Sequence, residues 1–129
     1  MIHGGNATIY VSDMDRAVAF YTNSLGLKLQ FRAGNHWAQV DAGNGMQIGL
    51  HPASPHSPTP GKSGSISVGL LVNQGLDQVV NTLQSRGVVF RGPIMDNAKG
   101  GIRLAFFGDP DGNDLYLCEV KQQGRSYQR

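Results

Sequence analysis

Near the N-terminus, apolar and polar residues alternate. Ala7, Ile9 and Val11 interleave with Asn6, Thr8 and Tyr10, a period of two that predicts a strand over 6–12. Met14, Ala17, Val18, Phe20 and Tyr21 then recur at three- and four-residue steps, which predicts an amphipathic helix over 14–24. Ser12 or Asp13 is placed to cap its first amides, and Gly26 to close its C-terminus in a left-handed conformation. Residues 27–31, 36–41 and 46–51 read as three short strands, with turns at Gly34-Asn35 and Gly43-Asn44-Gly45.

Residues 52–64 carry Pro52, Pro55, Pro58 and Pro60, so this stretch holds neither a helix nor a central strand and reads as a linker or flap. The earlier order then returns. A strand is expected over 66–72, and Leu76, Val79, Val80 and Leu83 mark a helix stopped at Gly87. Strands are expected over 88–91, 102–107 and 114–120, with Asp109-Pro110-Asp111-Gly112 as a turn. Val11 matches Val72 by offset, Met14-Asp15 matches Leu76-Asp77, Gly26 matches Gly87, and Gly45 matches Gly112. The expected organisation is a βαβββ module over 1–51, a linker over 52–64, a second module over 65–120 and a basic tail over 121–129, in one compact domain.

One helix covers only one face of its sheet, so the other face must meet a second sheet or enclose a cavity. The expected fold is α+β: two tandem βαβββ modules forming a cupped, barrel-like sheet with the helices outside. Asn6, Thr8 and Tyr10 share the face away from the helix, as do Ser65, Ser67 and Gly69, and Asp114, Tyr116 and Cys118. That predicts a cleft between the modules lined by small polar and aromatic groups, suited to an organic molecule.

Composition narrows the classes. The net charge of +2 and the scattered basic residues give no nucleic-acid or membrane footprint. A single cysteine, Cys118 within Leu115-Tyr116-Leu117-Cys118, excludes an internal disulfide and reads as a buried thiol; a cytoplasmic location is expected. The first residues, Met1-Ile2-His3-Gly4-Gly5, lack the character of a secretory signal. His3 and His56 read as surface histidines, whereas His51 shares the cleft face with Gly49. Trp37, the lone tryptophan, is a candidate stacking platform for a planar ligand, with a core or dimer-interface role as the alternative. A Ser67–His51 pair has no visible orienting acid, and Gly4-Gly5 and Gly100-Gly101 form no phosphate-binding fingerprint.

Residues 6–21, Asn-Ala-Thr-Ile-Tyr-Val-Ser-Asp-Met-Asp-Arg-Ala-Val-Ala-Phe-Tyr, followed by Leu25-Gly26-Leu27, resemble the opening of vicinal oxygen chelate proteins, the superfamily of glyoxalase I, bleomycin-resistance proteins and extradiol dioxygenases. Residues 107–113, Phe-Gly-Asp-Pro-Asp-Gly-Asn, with Leu115-Tyr116-Leu117, resemble its closing strand. The resemblance implies the paired βαβββ fold and a homodimer. It also implies that metal-dependent members carry four His or Glu ligands, one on each of four strands. Here Asn6, Gly49 (or His51 with a two-residue shift), Ser67 and Tyr116 stand at those positions, so no cofactor or metal is expected. The expected function is metal-free binding of a drug or metabolite, at a ligand site of Asn6, Thr8, Trp37, Gly49, His51, Ser67 and Tyr116. The +2 charge argues against the cationic bleomycin as that ligand. The alternative is a glyoxalase-type lyase or isomerase with a displaced metal site, or with acid–base chemistry at His51.

Overall fold

A computed structural model describes residues 1, 5–62, 67–97 and 101–120. The chain forms two compact units, Met1–Gly64 with Asp109–Asn113, and Ser65–Gly108 with Asp114–Arg129. Each carries one helix and one four-stranded mixed sheet, the α+β arrangement expected.

In the first unit the elements are β1 (Ala7–Val11), α1 (Met14–Ala19), a π-helical turn (Phe20–Ser24), β2 (Lys28–Ala33), β3 (Trp37–Gly43) and β4 (Met46–Pro52). The sheet order is β1-β4-β3-β2, with β1 and β4 parallel and the other pairs antiparallel. Asp13 is the N-cap, and its side chain accepts the Arg16 N–H. The expected single helix changes pitch at Phe20. The Leu25 N–H reaches back five residues to the Phe20 carbonyl, and Gly26, at φ 79°, lets the chain leave. Ile9, Val11, Met14, Ala17, Tyr21, Ala38, Val40, Ile48 and Leu50 are buried between the helix and one face of the sheet.

The second unit holds β5 (Val68–Leu71), α2 (Leu76–Ser85), β6 (Met95–Asn97), β7 (Ile102–Gly108) and β8 (Asp114–Val120), in sheet order β5-β8-β7-β6. Here the sequence expectation is corrected. The strand foreseen over 88–91 is a single bridge from Phe90 to Phe107, and the edge strand forms at Met95–Asn97 instead. Gly92, at φ 82°, and Pro93, which has no N–H, interrupt any ladder running on from Phe90. The core is Val68, Leu76, Val80, Leu83, Val88, Ala105, Phe107, Leu115 and Leu117. The N-cap Gly75 makes no side-chain cap, and Glu119 on β8 accepts the Leu76 N–H in its place. Arg103 crosses the helix side of this sheet, pairing with Asp77 and Glu119 at 3.2 Å and with Asp96 at 3.6 Å. The expected strand start at Ile66, Ser65 on the cleft face, His3 and the basic tail lie outside the described residues.

Candidate binding site

The apolar positions of β1, β3 and β4 all face α1, which leaves a second face of the first sheet without a helix on it. Strand register sets its rows. Thr8 of β1 pairs with Gly49 of β4, which pairs with Gln39 of β3, which pairs with Phe31 of β2. In the next row Tyr10 pairs with His51, and Trp37 with Ala33. The Trp37 indole lies over Gly49, so close that a Cβ at residue 49 would sit 2.1 Å from the ring. Gly49 therefore has a steric function, as the floor on which the indole rests. Tyr10 stands 5.2 Å from the His51 ring and Trp37 6.2 Å, centroid to centroid. The three rings make one half-buried aromatic patch.

His51 Nδ1–H donates to the Pro52 carbonyl at 2.8 Å. In the neutral ring that bond leaves the Nε2 lone pair to accept a hydrogen bond. Asn6 is exposed at the start of β1, where its carbonyl oxygen accepts the Thr8 hydroxyl at 3.4 Å.

The second unit repeats the device. Gly69 of β5 pairs with Tyr116 of β8, and a Cβ on Gly69 would lie 2.3 Å from the Tyr116 ring. Tyr116 in turn packs 5.7 Å from Phe106. Register places Leu71, Met95, Leu104 and Cys118 on the same face. Leu71 and Met95 are 62% and 57% exposed, so this face has an uncovered apolar surface. Two expectations change. The lining here is apolar and aromatic, where small polar and aromatic groups were expected, because β7 contributes Leu104 and Phe106. Cys118 is half-exposed on this face, outside the core, because alternation along β8 gives the core to Leu115 and Leu117. Partial burial pushes its thiol pKa up, which lowers its reactivity. Ser67 is exposed just before β5.

A polar cluster that motif reading placed only in a turn anchors the first unit. Asp109 is 6% exposed. Its carboxylate accepts the Tyr21 hydroxyl at 2.8 Å, the Asn113 side-chain amide at 2.9 Å and the backbone N–H groups of Asp111 and Asn113 at 3.0 and 2.8 Å. Asn113 also donates to the Tyr10 carbonyl and accepts the Gly61 N–H. Asp111 accepts both the backbone N–H and the hydroxyl of Ser12. The turn thus holds β1, the aromatic strand of the site, and the end of the Pro-rich segment. That segment is tied at its start as well, where the Ala53 N–H donates to the Val11 carbonyl. Tyr21 has its pKa raised well above the usual value by burial and then by the Asp109 charge.

The four metal-ligand positions of the resemblance can be tested against these contacts. Gly49 supplies no donor and is roofed by Trp37, and His51, the alternative at that position, would be a lone imidazole. Tyr116 spends its ring covering Gly69, and Asn6 and Ser67 are neutral and exposed. This donor set does not suit a divalent ion, which needs several imidazoles or carboxylates converging. Among the described residues, no three His, Cys, Asp or Glu side chains are grouped for one.

Comparison with known proteins agrees with the paired modules. The profile of the Glyoxalase/Bleomycin resistance protein/Dioxygenase superfamily matches residues 5–117. The solved structure of TnmS3, an antibiotic binding protein from Streptomyces sp. CB03234, is 32% identical over 94% of this chain and 98% of its own, with a TM-score of 0.75. A member of the same superfamily from Sphaerobacter thermophilus is 30% identical, covering 92% of this chain and 98% of its own at a TM-score of 0.76. An integron cassette protein from the mobile metagenome of Halifax Harbour shares the fold at 17% identity and a TM-score of 0.73, over 93% of this chain and all of its own. No curated protein matches the chain. The profile match spans both modules, and the chain belongs to the glyoxalase/bleomycin resistance protein/dioxygenase superfamily.

Proposed function

We propose that the chain binds a small planar organic molecule, a drug or metabolite, without a metal. The observation that carries this reading is the ring-over-glycine arrangement on the face of each sheet turned away from its helix. Two strand glycines that offer no side chain of their own each support an aromatic ring. Rings held at such a surface stack on flat ligands by shape and dispersion, while His51 Nε2 and Thr8 add directional hydrogen bonds. The relative described as an antibiotic binding protein, at 32% identity, supports the same reading.

Trp37 is the only tryptophan, so selectively excited tryptophan fluorescence reports on this site alone. Titration with a panel of planar compounds should give saturable quenching for at least one member. The same compound should raise the melting temperature, with about 2.7 kcal/mol of added stability at a hundredfold excess over Kd. A panel that leaves both readouts unmoved refutes the proposal. Protein purified without chelators should contain far less than one equivalent of Ni, Zn, Fe or Mn, and a stoichiometric ion lost in His51→Ala would instead favour the lyase or isomerase alternative. We infer a cytoplasmic homodimer from the family resemblance and the single cysteine; sedimentation velocity tests the dimer. Among the described residues no helix is long and apolar enough to cross a membrane.

A further inference from the structure

Three glutamines from three adjacent strands meet on the face that carries Trp37. Gln39 of β3 stands in the row of Gly49, two residues along the strand from Trp37. Its Nε2 donates to Gln30 Oε1 of β2 at 3.4 Å and to Gln47 Oε1 of β4 at 3.3 Å. The bulge between Leu29 and Phe31 is what brings Gln30 to this side, since it adds one residue to β2 against β3. Among the described residues the outward groups have no other partner: the Gln39 carbonyl oxygen and the amide nitrogens of Gln30 and Gln47. They form a donor–acceptor–donor series. Turning all three amides over keeps both bonds and converts the series to acceptor–donor–acceptor. Either way the series is neutral and alternates. Asp41, the register partner of Gln47, has its Oδ1 turned to the Gly43 N–H, and Lys28 stands across from it on β2.

A trio of uncharged amides beside a stacking ring discriminates among flat ligands by the pattern on their edge. Satisfied, it adds hydrogen bonds; faced with a bare hydrocarbon edge, it leaves amides desolvated and unpaired. We propose that Gln39, held between Gln30 and Gln47, is the specificity-determining residue of this site, and that it selects neutral planar rings bearing alternating carbonyl and N–H or hydroxyl groups along one edge. This rests on the binding function proposed above and names its ligand class.

The test compares three neutral tricyclic probes by Trp37 quenching and isothermal titration. Lumichrome has a carbonyl, N–H, carbonyl edge. Its N3-methyl derivative keeps the carbonyls and lacks the central donor. Phenazine is flat and has no such edge. The native protein should bind lumichrome about tenfold or more tighter than either of the others, one well-placed hydrogen bond being worth roughly that factor. Gln39→Leu should reduce lumichrome affinity about tenfold and leave phenazine within about twofold. Its melting temperature serves as the control for folding. Equal binding of all three probes by the native protein, with all three lost in Trp37→Ala, overturns the specificity inference and leaves the binding function standing. Binding of none of the three overturns the ligand class, and together with a silent compound panel it overturns the binding function too.

Discussion

At the scale of single residues, two glycines and a tyrosine give the sharpest expectations. Gly49→Ala puts a methyl group where the Trp37 ring lies. The ring is the free end of a side chain and can swing away, so the stability loss should stay under about 1.5 kcal/mol, at the low end of overpacking. The displaced indole should show a red-shifted emission and a weakened affinity for whichever compound quenches the native protein. Unchanged emission would mean that Gly49 does not set the ring's position. Tyr21→Phe removes a hydroxyl that donates to a buried carboxylate, and should destabilise by about 1.5–3 kcal/mol in urea denaturation. Tyr21 also has a signature in pH. Its pKa is raised in the folded protein, so on titration upward the unfolded chain ionises first, near pH ~10. The stability it contributes is complete below that pH and is lost as pH rises towards the folded value. The native protein should therefore lose stability in alkali with a component that Tyr21→Phe lacks.

At the scale of elements, the turn Asp109–Asn113 matters more than its length suggests. Gly61 meets it at φ 79°, and a Cβ there would lie 1.9 Å from the Asp111 carbonyl oxygen. That neighbour is backbone and cannot rotate away. Gly61→Ala should cost about 1–3 kcal/mol from the left-handed conformation alone, read as a lower denaturation midpoint at unchanged m-value. The strands and helices themselves were largely legible in the chain: the alternation at Ala7, Ile9 and Val11, the cap at Asp13 and the glycine stops at Gly26 and Gly87 each have a local cause. Two element-level features were not. The π-helical turn carries Tyr21, whose hydroxyl donates to Asp109, a partner eighty-eight residues away. The strand expected over 88–91 shrinks to one bridge because Gly92 and Pro93 follow it at once, while Val88 is buried and Phe90 packs on Phe107.

At the scale of the whole molecule, metal removal is the decisive perturbation. On the metal-free reading proposed above, EDTA treatment should leave the melting temperature unmoved. A large drop would show that donors other than Asn6, Gly49, Ser67 and Tyr116 assemble one. The amino-acid sequence by itself determined the order of the elements, the face that β1, β5 and β8 turn to a helix and the family, because these follow from local periodicity, capping and short phrases. Only the tertiary structure decided which residues become a site. Trp37 gains meaning from the missing side chain of Gly49, and Tyr116 from that of Gly69, each on a neighbouring strand. Gln30, Gln39 and Gln47 are unremarkable along the chain and meet through register and a bulge. The apolar lining of the second sheet was hidden because β7 reads Ile-Arg-Leu-Ala-Phe-Phe, apolar on both faces, and a period of two cannot orient a strand whose two faces look alike. Contacts across strands depend on pairing, and pairing is a property of the folded chain.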